Sequence, residues 1–185
     1  MKYIHQLADV QSLSIGEDTR VWQFAVILKD AVIGDNCNIN CHTFIENNVV
    51  LGNNVTVKSG VYLWDGLRAE DNVFIGPNAT FTNDKYPRSK VYPQNFQTTI
   101  LEQNCSVGAN ATVLGGVTIG RYAVVGAASV VTKNVPAYAL VRGNPAKIVG
   151  WVDENGKKLT AEASGELVNA QNERFMIKDE RLVKI

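Results

Sequence analysis

The chain has 185 residues, with 18 Lys and Arg balanced by 18 Asp and Glu, enough for one domain with a sizeable core and a small appendage. Zero formal charge offers no field to draw in nucleic acid or an anionic membrane, and no apolar run approaches the ~18 residues of a membrane span. Cys37, Cys41 and Cys105 have no zinc-type spacing, and the start MKYIHQLADVQS lacks the apolar stretch of a secretory signal, so reduced thiols in a cytoplasmic protein are expected.

From Ile15 every sixth residue is apolar: Ile15, Val21, Ile27, Ile33, Ile39, Ile45, Leu51, Val57, Leu63, Ala69, Ile75, Phe81. Two places before each runs a second series of mostly small or β-branched residues, from Leu13 through Thr19, Ala25 and Ala31 to Ala79, while Gly, Asn and Asp crowd the remaining positions. An α-helix at 3.6 residues per turn would smear a strict period of six around its surface. A three-sided coil holds the period, because each hexad supplies one short strand and one turn. Three hexads close a coil, and successive coils stack at the inter-strand spacing of ~4.8 Å. The fold expected is therefore all-β, a parallel β-helix of about six coils over residues 1–150.

The frame breaks once. Between Phe81 and Leu101 the chain runs well past the single hexad that would continue the coil, and the excess falls within residues 83–98, a polar stretch holding Pro87 and Pro93. A long loop inside a compact domain is usually functional, although it could also be a tolerated surface insertion. The repeat resumes through Leu101, Val107, Val113, Ile119, Val125 and Val131. Residues 151–185 are charged, and the alternation over 173–185 predicts a short hairpin turning near 178–180, in a cap over the open end of the coil.

Residues three hexads apart lie above one another, which locates chemistry. One outward column reads Lys29, Asn47, Asp65, Asn83, and continues past the insertion to Gly115 and Lys133. Its neighbours hold Glu46, Trp64 and Thr82 on one side and Asn48, Gly66, Asp84 and Gly116 on the other. Carboxylates, carboxamides and an exposed Trp thus gather at the root of the long loop, and this cluster is the candidate active site. Asn and Asp are also ordinary turn residues here, so Asn47 alone carries no functional weight. Trp64-Asp65 departs from the Gly-Asn and Gly-Asp turns of the other hexads. Gly115-Gly116 would let a ligand approach the backbone, and Lys133, Arg142 and Lys147 suit a phosphate-bearing one, although lone surface Lys residues are commonly just solvated.

VTKNVPAYALVRGNPAKIVG (131–150) resembles the C-terminal signature of hexapeptide-repeat acetyltransferases, and GVYLWDGLRAEDNVFIGPNATFTNDKYPRSK (60–90) resembles the bacterial N-acetyltransferases of dTDP-linked 3-amino-3,6-dideoxyhexoses. Acetyltransferases of nucleotide-linked 3-amino uronic acids are similar through FTN and PRS. The resemblance implies a left-handed coil, a hand that spacing alone does not give. It implies acetyl-CoA as co-substrate, a homotrimer with active sites between subunits, no metal, and a role in O-antigen or S-layer sugar synthesis. Together with the stacked cluster at the loop root, it points to Asp65 and, by analogy with the family, Asn83 as catalytic, and to Glu46, Asn47, Trp64, Asp84, Tyr86 and Arg88 as contacts of the nucleotide-linked amino sugar. Gly115, Gly116, Ala127, Ala128, Lys133, Arg142, Pro145 and Lys147 fall to CoA.

Many hexapeptide acyltransferases carry a catalytic His at the excursion loop, whereas here the loop opens Thr82-Asn83-Asp84-Lys85 and the chain has only His5 and His42. A hydroxyl acceptor needs a base; an amine, nucleophilic once neutral, does not. The missing His favours N- over O-acylation. Sugar O-acetylation and N-acetylation of a UDP-linked amino sugar remain alternatives. A zinc enzyme of the γ-carbonic-anhydrase type would need three His ligands, and a plain scaffold leaves the Trp-Asp-Gly element unexplained.

Overall fold

The computed structural model describes residues 1–178 and 181–185. Strands mostly two residues long, joined by turns, build three flat sheets of nine, seven and five strands around one core. The register follows the period of six. Val26 pairs with Phe44 and Phe44 with Tyr62, in each case the residue three hexads further along the chain. Across the insertion Ala69 pairs with Leu101 and Thr80 with Thr112, so the chain leaves the coil at the excursion and re-enters in register.

Every residue of the six-spaced series, twelve before the insertion and six after it, is buried, none more than 6% exposed. Each large aliphatic side chain so buried stabilises the fold by about 1.5–3 kcal/mol. The second series is buried with one exception, Leu13, which is 94% exposed. The first hexad is one residue short: Val10 pairs with Ile27, one place less than three hexads on, whereas Ile15 bridges to Ile33 at the full spacing. Ser12 takes the inward place instead, and its hydroxyl donates to the Ala31 carbonyl at 2.6 Å.

About eight coils are present rather than six, since eight strands of the nine-stranded sheet pair in parallel. The additional coils depart from three full hexads: the pairing of Tyr3 with Arg20 is one residue short of that spacing, and that of Val124 with Leu140 is two short. A strict count of hexads passes over them. Asn at the turns has a physical reason too, because Asn36, Asn54, Asn72, Asn78, Asn104 and Asn110 all adopt positive φ, which Asn tolerates better than most residues.

The upper end closes on itself. Lys147–Trp151 runs antiparallel to Ala139–Arg142, the last parallel strand of the nine-stranded sheet. Val130, at the edge of the seven-stranded sheet, donates to Gly143 O at 2.9 Å and accepts from Ala146 N at 2.8 Å. Thr118, at the edge of the five-stranded sheet, accepts from Val135 N at 2.9 Å and donates to Asn134 Oδ1 at 2.9 Å. Residues 134–151 thus satisfy the last strand of all three sheets, an edge that would otherwise invite pairing with another chain.

The tail is more than one hairpin. Thr160–Ala161, Leu167–Val168, Arg174–Lys178 and Arg181–Lys184 form a four-stranded antiparallel sheet. Lys178 pairs with Arg181; residues 179 and 180 of the expected turn lie outside the described residues. Phe175 and Leu182 pack on the core, and with Arg121 and Tyr138 they line a cavity of about 580 Å³. The sheet therefore lies against the side of the last coils, and the end that the sequence leads one to expect it to cover is already closed by 134–151.

Candidate active site

The corner between the seven- and five-stranded sheets carries residues 46–48, 64–66, 82–84 and 114–116 in successive coils, and the excursion leaves and returns there. Asp65 is fixed from both sides. Its Oδ1 accepts the Asn48 N–H at 2.6 Å, and its own N–H donates to Glu46 Oε2 at 2.7 Å. From above, Asn83 Nδ2 donates to the Asp65 carbonyl at 3.1 Å. Asp65 Oδ2 has no hydrogen-bond partner among the described residues. Burial, with the Asp65 charge as a lesser cause, pushes the Glu46 carboxyl above its ordinary value.

The excursion's return packs into the same corner. Gln97 N–H donates to Asn83 O at 2.9 Å. A Cβ on Gly66 would lie 2.7 Å from Gln97 O, and one on Gly115 would lie 2.8 Å from Gln97 Oε1 and 2.9 Å from Thr82 O. The Gly115 N–H donates to Thr82 Oγ1 at 3.0 Å. The bareness of Gly115, which in sequence suggests a track for a ligand, also makes room for the returning loop. Gln97 escapes sequence reasoning; the glycines at 66 and 115, in adjacent columns of this corner, are its signal. Behind them Thr99 Oγ1 is buried without a hydrogen-bond partner among the described residues, beside a void of about 10 Å³ lined by Trp64, Asp65, Asn83 and Gln97.

Trp64 is half-buried and packs on Phe44 and Tyr62, with ring centroids 5.6 and 6.1 Å away. Together with Phe24 and His42 these rings line a shallow groove of about 360 Å³. Asn47 behaves as a turn residue, its Oδ1 accepting Asp30 N–H at 3.3 Å. Asp84 closes the loop's first turn by accepting Tyr86 N–H at 2.9 Å. Tyr86 and Arg88 are exposed on the loop; Lys85 stands over the Tyr86 ring and Arg88 donates to Pro87 O at 2.8 Å. Neither side chain is hydrogen-bonded to the corner cluster among the described residues; only the Tyr86 backbone N–H reaches it, through Asp84. His42 stacks on Phe24 at 5.1 Å at another corner, and His5 Nδ1 accepts Leu7 N–H at 3.1 Å, so no histidine joins the cluster.

The family pattern described as bacterial transferase hexapeptide (six repeats) matches residues 13–47 and 98–133. A dTDP-3-amino-3,6-dideoxy-alpha-D-galactopyranose 3-N-acetyltransferase from Aneurinibacillus thermoaerophilus is 57% identical over 157 residues, which is 85% of this chain and 82% of that protein. The chain belongs to the bacterial hexapeptide transferase family. Among solved structures, PerB from Caulobacter crescentus in complex with CoA and GDP-perosamine is similar at 26% identity and a TM-score of 0.52, over 81% of this chain and 57% of that one. A hexapeptide-repeat acetyltransferase from Vibrio cholerae complexed with acetyl-CoA is similar at 26% identity and a TM-score of 0.56, over 75% and 70%.

In this hexapeptide transferase the residues expected to meet CoA divide between two corners. Gly115, Gly116 and Lys133 stand above Asp65. Ala127 and Ala128 lie at the corner between the nine- and seven-stranded sheets, where a Cβ on Gly126 would touch Arg142 Cβ at 3.1 Å. Pro145 and Lys147 follow on the capping segment, and the Asn144–Pro145 bond is cis. The seven-stranded sheet runs between the two corners, and the segment carrying Pro145 lies along its upper edge, where Ala146 N–H donates to Val130 O. Among the described residues no group of His, Cys, Asp and Glu could hold a metal ion.

Proposed function

We propose that this protein transfers the acetyl group of acetyl-CoA to the 3-amino group of a dTDP-linked 3-amino-3,6-dideoxyhexose. The observation that carries the reading is Asp65, a carboxylate held through Oδ1 by the Asn48 N–H of the coil below, with Oδ2 left to act. The relative at 57% identity, named for that reaction, supplies the substrate class. Asp65 attracts the sugar ammonium and orients the amine once it has lost its proton. Asn83, tied through Nδ2 to the Asp65 carbonyl, keeps its side-chain oxygen for the amine. Glu46 and Trp64 wall the acceptor site, and Tyr86 and Arg88 reach the nucleotide from the loop. The neutral amine attacks the thioester carbonyl, the C–S bond breaks, and the departing thiolate, with a thiol pKa of ~8.5, takes the amine's proton. No enzyme nucleophile is needed; burial pushes the Cys105 thiol up to about 12 and Cys37 is also raised.

The divided CoA set supports an active site shared between chains. One corner of one protomer and the capped corner of its neighbour would together complete the CoA site; a head-to-tail contact of this kind gives a ring where the rotation closes, and the homotrimer that the family resemblance implies is such a ring. No helix among the described residues is long and apolar enough to cross a membrane, and the two nucleotide-bearing substrates fit a cytoplasmic enzyme.

The test is thiol release from acetyl-CoA across a panel of dTDP- and UDP-linked 3-amino, 4-amino and hydroxy sugars. Turnover with the dTDP-linked 3-amino-3,6-dideoxyhexoses is expected. A preference for a hydroxy sugar or a UDP-linked amine would overturn it.

A further inference from the structure

Arg68 lies on the strand Leu67–Ala69, facing out from the five-stranded sheet between Val50 below and Ile100 above. Its side chain reaches round the corner to Asn48 of the coil below. One guanidinium nitrogen, Nη1, donates to Asn48 O at 2.6 Å and to Leu67 O at 2.9 Å; the other, Nη2, donates to Asn48 Oδ1 at 2.5 Å. Asn48 is therefore gripped through its backbone and its side chain at once, and its carbonyl also accepts Gly66 N–H at 2.9 Å. The same residue's N–H is the donor to Asp65 Oδ1. Arg68 forms no ion pair with Asp65 or Glu46 among the described residues, so any influence on the carboxylate runs through Asn48.

We propose that Arg68 is a positioning residue for the transfer reaction, holding Asn48 so that its N–H fixes the Asp65 carboxylate; this rests on Asp65 being the group that orients the amine. The turn 46–48 lies on the surface, with Asn47 and Asn48 exposed. Without the guanidinium fork, the Asn48 carbonyl and side chain lose two of their three anchoring hydrogen bonds, and the N–H that aims Asp65 moves with them. A misplacement near 1 Å at a reacting group costs up to about 10²-fold in rate. Lysine cannot substitute, since its single ammonium does not reproduce two parallel donors on one partner.

Steady-state kinetics on the full-length enzyme test this. Arg68→Ala is expected to lower kcat about tenfold while KM for acetyl-CoA stays within about twofold. Added methylguanidine should recover part of the lost rate. Arg68→Lys, which keeps the charge and loses the fork, should also be impaired, and it serves if the alanine variant folds poorly. The deciding measurement is the double variant. If Arg68 acts through Asp65, adding Arg68→Ala to Asp65→Asn lowers kcat by less than about twofold. Multiplicative losses in the double variant, or wild-type kcat in Arg68→Ala and Arg68→Lys, would overturn the inference alone. Wild-type activity in Asp65→Asn would instead remove the reading of Asp65, and this inference with it.

Discussion

Asp65 Oδ1 accepts the backbone N–H of Asn48 at 2.6 Å. Asp35, Asn53 and Asp71 at the neighbouring corner do the same for the coil below each, taking the N–H groups of Glu17, Asp35 and Asn53 at 2.8, 2.9 and 2.6 Å. Asp65 is thus a rung in the kind of ladder that any carboxylate or carboxamide can complete, and also one of the carboxylates at the loop root. The two roles make different demands on its chemistry, and one substitution separates them.

Asp65→Asn keeps an oxygen to accept the Asn48 N–H, so the rung survives, while the charge that would draw in an ammonium is gone. The melting temperature is expected to fall by no more than a few degrees, because a hydrogen bond to the carboxylate contributes about 1.5–3 kcal/mol and its neutral replacement still about 0.5–1.5 kcal/mol. The ratio kcat/KM should fall at least about tenfold. Unchanged kinetics in a normally folded variant would take Asp65 out of the mechanism.

Glu46 offers a pH test with a definite sign. Burial, then the Asp65 charge, raises its carboxyl above 4.5, while the Asp65 N–H pulls the other way. A carboxyl whose folded value is raised holds its proton more tightly in the folded state. Its contribution to stability is therefore complete below 4.5 and is lost as pH rises through the folded value. Glu46→Gln keeps an acceptor for Asp65 N–H and removes the charge. Its melting temperature should equal or exceed wild type near neutral pH, and the gap should close as the solution is acidified toward the ordinary carboxylate range. A variant less stable at neutral pH, or a gap indifferent to pH, would contradict this assignment.

The coil is legible in the sequence because every inward residue recurs at a fixed interval, and Ile15 through Val131 keep their frame across the insertion. Stacking arithmetic places Asp65 above Asn47 and beside Glu46, and the structure joins Asp65 to Glu46 and to Asn83 as that register requires. Leu13 is misplaced by the same arithmetic because a hexad one residue short looks regular from one side only. Gly115 reads as a ligand track alone because the path of 83–98 has no period, so nothing signals that Gln97 also returns over it. Arg68, and its link to Asn48, is passed over for a related reason. A long side chain that rounds a corner joins positions that are not a whole coil apart, and a column of stacked residues contains no such pair. The hand of the coil comes from resemblance, since a period of six is the same for either hand.

Thr99 tests an unsatisfied group. Its hydroxyl is buried with no hydrogen-bond partner among the described residues, and an unpaired buried donor costs about 1–3 kcal/mol. Thr99→Val removes the hydroxyl at nearly constant shape. Its melting temperature should be equal to or above wild type, with its strand pairing to Leu67 unaffected. A clear loss of stability would mean that the hydroxyl has a partner, for which a water in the small void beside it is the candidate.

Gly66 ties the loop to the corner, and its replacement separates contact from backbone strain. Its φ is +94°, and a Cβ would sit 2.7 Å from the Gln97 carbonyl, a backbone atom that cannot swing aside. Gly165 in the tail has φ +86° with nothing within 4 Å of a built Cβ. Gly165→Ala therefore reports the cost of a left-handed alanine alone, about 1–3 kcal/mol. Gly66→Ala adds to that the displacement of residues 97–99 from Asp65 and Asn83. It should melt below Gly165→Ala and lose kcat, whereas Gly165→Ala keeps wild-type kcat. Equal melting temperatures and equal rates in the two variants would show that the loop root yields freely, and the packing of Gln97 over this corner would then have no bearing on catalysis.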